Sequence, residues 1–326
     1  MIEVVFLGTS ASSPAIYRGL SAQMIMYRQY RFLVDCGEGT QRQILRSGLG
    51  FKRLDKVLLT HGHLDHILGL GGLVSTLSRW ETLDKLEIYG GKSALDRVHD
   101  LVFGVALRDA RPPVDIHLIP LADNDVVLED DKIRLEAFGV THRGSGCFGF
   151  LFQERDHRPF LAEKASELGV PFGPERSILV RGEAITLEDG RVIEPDDVLA
   201  PARPGTKYVQ IGDVGRTDNL VEVCRDAHAI TIESTYIDED RDLARQYGHL
   251  TARQAAELAV EANVGALILN HISRRYYERD ILDEARAIFP NTYVARDFDY
   301  FQISREGTVR MPRGWHRKQQ QDQGTE

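Results

Sequence analysis

The sequence of 326 residues has few cysteines and no long apolar run. Cys36, Cys147 and Cys224 are odd in number and widely spaced, which argues against a disulfide framework and fits a reducing compartment. No segment approaches the roughly 18 apolar residues of a membrane span. The start, MIEVVFLGTSASSP, lacks the basic region of a signal peptide and predicts a strand instead. We therefore expect a cytoplasmic protein that does not associate with membranes.

Positive charge is also in deficit. Forty Lys and Arg stand against 49 Asp and Glu, which gives a formal net charge of −9. This balance disfavours general adhesion to nucleic acid, so a nucleic-acid function would require a local basic patch. The hydrophobic share of 42% and the charged share of 27% are typical of a globular protein.

Short apolar runs alternate with amphipathic segments, a pattern that predicts sheets covered by helices. Strands are predicted at residues 2–7, 31–35, 56–60, 86–89, 116–119, 133–137, 147–152, 208–211, 229–232 and 266–270, and helices at 38–46, 67–80, 94–102, 251–262 and 281–289.

One stretch departs from this pattern. Residues 154–205 are rich in Pro, Gly and charge, and we interpret them as an arm inserted into a catalytic domain that spans residues 1–305. A long surface loop is the alternative interpretation. The polar end, residues 306–326, is predicted to be a disordered tail.

The strongest chemical signal follows the strand KVLLT, where the chain reads Thr60-His61-Gly62-His63-Leu64-Asp65-His66. Three imidazoles and a carboxylate within six residues are hard to explain by packing. Alternate residues of an extended segment point the same way, so His61 and His63 can converge on one ion, while Asp65 and His66 face a second position. Imidazole and carboxylate without thiolate favour Zn²⁺, with Mn²⁺ or Fe as less favoured alternatives.

Three more candidate ligands directly follow short apolar strands. They are His142 after IRLEAFGV, Asp213 after KYVQI and His271 after GALIL. Each alone has an equally good structural explanation, but such strand ends are where α/β folds present their sites. Together the seven side chains suffice for two ions bridged by one carboxylate, an arrangement that can cleave phosphate esters.

His61-Gly-His63-Leu-Asp65-His66 resembles the signature of the metallo-β-lactamase superfamily, which implies a four-layer αββα sandwich. A narrower resemblance to ribonuclease Z rests on an ordered set of segments that covers nearly residues 1–303. These segments are FLGTSASSP, DCGEGTQRQIL, GVPFGP, LEDGRVI, GDVGRT, GHLTARQAAELA, ISRRY and ARAIFPNTYVARDFD.

The ribonuclease Z resemblance implies two Zn²⁺ ions, one held by His61, His63, His142 and Asp213 and the other by Asp65, His66, Asp213 and His271. It implies that Asp65 also orients the attacking water and accepts its proton. His249 would protonate the leaving 3′-oxygen, with Glu233 as its acidic partner. Without the resemblance, His249 is interpreted as a residue preceding a helix and Glu233 as a strand-end carboxylate.

The implied reaction removes the 3′ trailer from precursor tRNA, leaving a 3′-hydroxyl on the tRNA and a 5′-phosphate on the trailer. The resemblance also implies a homodimer. We expect phosphate contacts from basic residues beside the site and on the arm: Arg18, Arg216, Arg274, Arg275, Arg279, Lys164, Arg176, Arg181 and Arg203. The sequence departs from the family at two positions. It has Ile178 where the arm tip of the family carries lysine, and Leu250 where the family usually has serine.

Three other functions compete with this hypothesis. Hydrolysis of small phosphodiesters or sulfate esters is the closest, because the same ions cleave any ester that the pocket admits. A lactamase or thioester hydrolase would not require Glu233 with His249. A metal-free binding module is disfavoured by the complete set of seven ligands.

Overall fold

The computed structural model describes residues 1–80, 83–108, 110 and 113–312. Two large sheets and a two-stranded ribbon contain the strands. The first sheet has the order β17-β16-β1-β2-β3-β4-β5-β6: β1 (Ile2–Gly8), β2 (Ala22–Tyr27), β3 (Tyr30–Val34), β4 (Lys56–Leu58), β5 (Lys85–Gly90), β6 (Asp115–Pro120), β16 (Tyr300–Ser304), β17 (Gly307–Met311). The second sheet has the order β15-β14-β13-β12-β9-β8-β7: β7 (Val126–Glu129), β8 (Ile133–Gly139), β9 (Phe148–Glu154), β12 (Lys207–Gln210), β13 (Ala229–Glu233), β14 (Leu267–Asn270), β15 (Thr292–Val294). The ribbon pairs β10 (Ile185–Thr186) with β11 (Val192–Ile193).

The α-helices are α1 (Thr40–Ser47), α2 (Leu64–Ile67), α3 (Leu70–Trp80), α4 (Lys92–His99), α5 (Ala162–Glu167), α6 (Pro174–Val180), α7 (Pro195–Val198), α8 (Val221–Cys224), α9 (Arg241–Tyr247), α10 (Ala252–Glu261) and α11 (Glu278–Arg286). A π-helix covers Asp100–Ala106 and a 3-10 turn covers Asp238–Asp240. None of the described helices is long and apolar enough to cross a membrane.

Each large sheet buries both faces, because its strands carry apolar side chains in both directions. On the outer face of the first sheet, Leu33 shares one core with helical residues such as Ile44 and Leu73. The inner faces meet through aromatic rings, with Phe32 edge-on to Phe152 at 5.5 Å between centroids. The outer face of the second sheet packs against α10 and α11. The result is helix, sheet, sheet and helix, which is the predicted αββα arrangement.

Parallel strands bring the chemistry to one edge of the sandwich. Strands β3 to β6 are parallel to one another, and so are β12 to β15. Glu233 ends β13, His271 directly follows β14, and Asp213 comes three residues after the end of β12. Carboxyl ends of neighbouring parallel strands share an edge, so these side chains lie together although the chain separates them.

The chain divides into two compact units. Among the described residues, one unit comprises those within 1–130, 134–153 and 206–312, and the other comprises 131–133 and 154–205. The second unit has its own small core of seven buried apolar side chains: Ala165, Val170, Leu179, Ile185, Ile193, Val198 and Leu199. The paired segments around His157 and Arg203 form a ribbon, called the neck ribbon here. In it, these two residues exchange backbone hydrogen bonds of 3.2 and 2.9 Å.

Two sequence interpretations need correction. The expected tail from residue 306 begins too early, because Gly307–Met311 forms β17, which pairs antiparallel with β16 after a turn at Arg305-Glu306. The rest of that expected tail, from residue 313, lies outside the described residues. Strands β7, β10, β11, β15 and β16 were also missed, and so was β2. Its residues, AQMIMY, are buried on both faces and therefore show no alternation of apolar and polar side chains.

Candidate metal centre

The segment after β4 changes from strand to helix within six residues. His61 follows the strand, His63 occupies the N-cap position of α2 with extended backbone, and Asp65 and His66 enter the first turn of the helix. Gly62 is required by close packing, since a Cβ there would lie 2.9 Å from the Cα of Ala94. The local geometry thus separates His61 and His63 from Asp65 and His66.

A first group of side chains gathers around one oxygen of Asp213. Its Oδ2 lies 3.7 Å from His61 Nε2 and 3.9 Å from His142 Nε2. The Nδ1 atom of His63 lies 3.4 Å from His142 Nε2. Ligand atoms of these four residues all lie within 4.8 Å of one another, which is the spacing of groups that can share one ion.

A second group gathers around the other oxygen. Asp213 Oδ1 lies 3.5 Å from His66 Nε2 and 3.4 Å from His271 Nε2. The same two imidazoles approach Asp65 Oδ2 at 3.7 and 3.4 Å. Because its two oxygens face different groups, Asp213 has the geometry of a bridging carboxylate.

Buried polar atoms without partners test whether a metal fits here. His61 Nε2, His66 Nε2 and Asp213 Oδ1 are buried and have no hydrogen-bond partner among the described residues. Leaving a buried polar atom unsatisfied costs about 1–3 kcal/mol, so three such atoms close together fit a bound cation. The donor set of imidazole and carboxylate is one that divalent metals accept.

Outer hydrogen bonds orient the imidazoles. When Nε2 is left without a hydrogen, Nδ1 carries it. His142 Nδ1–H then donates to the Gly248 carbonyl at 2.8 Å, and His271 Nδ1–H donates to Thr235 Oγ1 at 2.9 Å. His66 Nδ1–H donates to Asp35 Oδ2 at 2.8 Å. Such partners fix ring orientation at metal sites.

Asp35, Thr60 and Thr235 bond to the candidate site residues, and the sequence interpretation did not single them out. Thr60 Oγ1 lies 3.0 Å from His61 Nδ1 and donates to Asp35, while Thr235 Oγ1 donates to Glu233 at 2.6 Å. Asp35 carried a usable signal, because it directly follows β3 as Asp213 follows its strand. The two threonines had none, since threonine is common at strand ends.

The pKa shifts divide the histidines into two groups. Burial lowers the pKa of His61 well below 6.5 and also lowers the pKa values of His63 and His142, which favours the neutral form that binds metal. Burial lowers the pKa of His66 too, but Asp213 and Asp35 outweigh it and raise that pKa well above 6.5. Burial raises the pKa of Asp213, yet His271 and His66 hold it well below its usual value.

His249 and Glu233 form a pair beside these groups. His249 Nδ1–H donates to Glu233 Oε1 at 2.9 Å and lies 3.9 Å from Asp213 Oδ2. Burial lowers the pKa of His249, but the Glu233 carboxylate outweighs burial and raises it to about 9. The Glu233 carboxylate therefore favours the protonated imidazole, which can donate a proton. Asp213, His249 and His271 also form a third group with ligand atoms within 4.8 Å.

A cavity of about 1300 Å³ lies on the Ser10 and Ile272 side of the centre. Its aromatic lining comes from Tyr17, Tyr276, Tyr277 and Phe298. Five arginines and three acids complete the charged lining: Arg18, Arg42, Arg46, Arg274, Arg296, Glu38, Glu278 and Asp297. Exposed cations next to aromatic faces suit a nucleic-acid strand.

The basic residues expected to contact phosphate do not share one environment. Arg18 is mostly buried and pairs with Glu278 at 3.0 Å, and Arg216 pairs with Asp218 at 2.5 Å. Arg274 is exposed in the cavity and, like Arg42, has no ion pair or hydrogen bond within the described part of the chain.

Sequence comparison identifies close relatives over nearly the whole chain. Ribonuclease Z of Bradyrhizobium diazoefficiens is 45% identical over 303 residues, covering 93% of this chain and 100% of the relative. Ribonuclease Z of Archaeoglobus fulgidus is 38% identical, covering 93% and 98%. A family model described as "Anti-Pycsar protein Apyc1" matches residues 2–161.

Solved structures agree with the sequence comparison. The short form of human tRNase Z aligns with a TM-score of 0.64 and 26% identity, covering 92% of this chain and 99% of the human chain. YhfI of Bacillus subtilis, a metallo-β-lactamase fold protein, aligns with a TM-score of 0.66 at 17% identity, covering 92% and 98%. The predicted αββα fold is thereby confirmed.

Proposed function

This chain belongs to the ribonuclease Z family, and from that premise we propose that it is a metal-dependent endoribonuclease that removes the 3′ trailer from precursor tRNA. Membership rests on relatives 45% and 46% identical over 93% of the chain. The single structural observation that carries the proposal is the His249–Glu233 pair, 2.9 Å apart and next to Asp213. A leaving ribose 3′-oxygen needs a proton, and this pair supplies one.

We propose that two Zn²⁺ ions bind, one to His61, His63, His142 and Asp213 and the other to Asp65, His66, Asp213 and His271. Mn²⁺ is the alternative metal. When bound, such ions lower the pKa of water and stabilise charge on the phosphate oxygens. The proposal is supported by the two-sided contacts of Asp213 and by the three partnerless buried atoms.

The residues of the chain divide the remaining work. Asp65 orients the attacking water and accepts its proton. His249 donates a proton to the departing 3′-oxygen of the tRNA, and Glu233 keeps His249 protonated until that moment. The phosphate stays with the trailer, so the products are a 3′-hydroxyl tRNA and a 5′-phosphorylated trailer.

Assembly and location belong to the same proposal. We propose a homodimer in the cytoplasm. Sedimentation in solution tests the dimer, and a monomer at micromolar concentration would contradict it.

The test of function uses purified protein, one precursor tRNA and bis(p-nitrophenyl) phosphate as a small phosphodiester. We expect cleavage of the precursor at a single position after the discriminator nucleotide, with a 5′-phosphate on the released trailer. A chain that hydrolyses only the small diester would instead be a small-molecule phosphodiesterase. Chelation should stop both reactions, and added Zn²⁺ or Mn²⁺ should restore them.

A further inference from the structure

The loop between β1 and β2 closes on itself next to the metal centre. The backbone N–H groups of Thr9 and Ser10 donate to the Gly19 carbonyl at 2.9 and 2.8 Å. Ala11 N–H donates to the Ile272 carbonyl at 3.1 Å, and Ile272 N–H donates to Thr9 at 2.9 Å. The loop is therefore attached to the residue that follows the ligand His271.

One backbone group of this loop reaches the catalytic carboxylate. Ser12 N–H donates to Asp65 Oδ2 at 2.9 Å, the same oxygen that faces His66 and His271. Ser12 adopts a left-handed backbone, with φ of 57°. A non-glycine residue persists in this region only when its surroundings hold it there. The N–H thus fixes the direction of Asp65 only while the loop keeps its shape.

Arg18 holds that shape from the far end of the loop. Its Nη1 donates to Thr9 Oγ1 at 2.8 Å and to the Ala295 carbonyl at 2.6 Å, and its Nη2 donates to Glu278 Oε2 at 3.0 Å. Acceptors from three chain segments therefore occupy three of the five N–H donors of the guanidinium.

Asp297 fixes the same two loop ends from the other side. It accepts from Thr9 Oγ1 at 2.7 Å, from the Gly19 N–H at 2.7 Å and from Gln43 Nε2 at 2.8 Å. Arg18 and Asp297 therefore both bond Thr9, and the loop cannot shift without breaking several buried hydrogen bonds.

We propose that Arg18 is a positioning residue: it locks the loop Ser10–Gly19 so that the Ser12 N–H orients Asp65, and it does not contact RNA phosphate. This inference rests on the proposed hydrolysis at the Asp65 centre and deepens it. A phosphate-binding arginine and a positioning arginine differ in what their removal changes. Removing a phosphate-binding arginine alters RNA binding and its salt dependence, whereas removing a positioning arginine alters the turnover of every substrate.

The experiment compares Arg18→Met and Arg18→Lys with Arg286→Met. Arg286 is the control because it is an exposed arginine on α11 that bonds one carbonyl, that of Thr292 at 3.0 Å, away from the loop. For each variant we measure kcat and KM on precursor tRNA and on bis(p-nitrophenyl) phosphate at saturating metal. Precursor binding is measured separately as a function of salt.

We expect Arg18→Met to lower kcat on both substrates by about 10–100-fold, the usual cost of losing an outer hydrogen bond to a metal ligand, here the bond from Ser12 N–H to Asp65. KM should stay unchanged. The salt slope of precursor binding, which is the slope of the logarithm of the binding constant against the logarithm of the salt concentration, should also stay unchanged. Arg18→Lys should recover part of kcat, because its ammonium keeps the Glu278 pair. Arg286→Met should leave both reactions unaffected. Peptides covering residues 8–20 should exchange hydrogen faster in Arg18→Met only.

The opposite pattern overturns the inference: small-diester turnover intact, precursor binding weaker and the salt slope reduced. If Arg18→Met does not fold, Glu278→Gln removes the same ion pair and should lower kcat on both substrates to a smaller extent, and an unchanged kcat would equally overturn the inference. Should the wild-type chain not cleave precursor tRNA, the proposed function fails, while the small diester still decides the role of Arg18.

Discussion

The arm and the cavity are the two regions that could bind RNA, and they differ in how their charges are used. Residues 154–205 carry eleven Asp and Glu against seven Lys and Arg, a net charge of −4. The cavity lining has five arginines against three acids. An acidic chain that cleaves RNA needs its local positive charge in one place, and the cavity arginines other than Arg18 supply it.

Most of the arginines of the arm already form ion pairs or stacking contacts within the arm. Arg158 pairs with Asp196 at 2.6 Å, Arg181 with Glu183 at 3.6 Å, and Arg191 with Asp189 at 2.7 Å. Arg176 stacks on Phe172, with 3.7 Å from its guanidinium carbon to the ring centroid. In contrast, the arm exposes large apolar side chains: Leu161, Phe172, Val180 and Val192. Contacts by the arm should therefore depend on shape and apolar area more than on charge.

The largest effect should come from the sandwich, where Asp213→Ala removes the one carboxylate that faces both groups. We expect loss of both ions and of both the precursor and the small-diester reactions, down to background. Elemental analysis and the two assays measure this. Retention of a full equivalent of metal per chain would show that Asp213 does not bridge.

His249→Ala should separate the chemistry from the binding of RNA. Loss of a general acid costs about 10²–10⁴-fold, and we expect that range for kcat on precursor tRNA. Bis(p-nitrophenyl) phosphate should be affected far less, because p-nitrophenolate leaves without a proton. Glu233→Gln should show the same substrate dependence with a smaller loss. Equal losses on the two substrates would assign His249 to the metal instead.

Removing Arg42 and Arg274, the cavity arginines that pair with no residue in the described part of the chain, tests the cavity side of the comparison. We expect the double variant Arg42→Met with Arg274→Met to weaken precursor binding and to reduce the salt slope by about 0.7–0.9 for each phosphate that the chain no longer neutralises. Small-diester turnover is the internal reference. A salt slope equal to that of the wild type would remove these arginines from the RNA-binding surface.

The smallest effect should come from the arm. Leu161 N–H donates to the Val198 carbonyl at 2.8 Å, so a short Gly/Ser linker can replace Ala162–Val198 and leave the neck ribbon intact. We expect kcat/KM for precursor tRNA to fall by roughly tenfold, equivalent to about 1.4 kcal/mol of apolar contact. The salt slope should hardly change. A large drop in that slope would mean that the arm binds phosphate despite its net charge.

The candidate metal ligands of the turn could be predicted because their spacing is a local property. Within His61–His66, an extended backbone at His63 is followed at once by the start of α2, and each local conformation fixes a side-chain direction. His142, Asp213 and His271 could be predicted as strand-end residues, since the carboxyl ends of parallel strands share an edge. The arm boundaries at Glu154 and Gly205 followed from composition.

The sequence by itself determined the sandwich, its candidate ligands and the family. Only the tertiary structure decided which charged side chains are free to bind RNA and which are paired within the protein. Arg18 and Glu278 are 260 residues apart, and no local pattern shows that they pair at 3.0 Å and bury a cation expected to bind RNA. The same holds for Ser12 and Asp65, which are 53 residues apart. Ligand spacing is set by backbone geometry within one turn, whereas the pairing of a side chain depends on contacts that exist only after the sheets have packed.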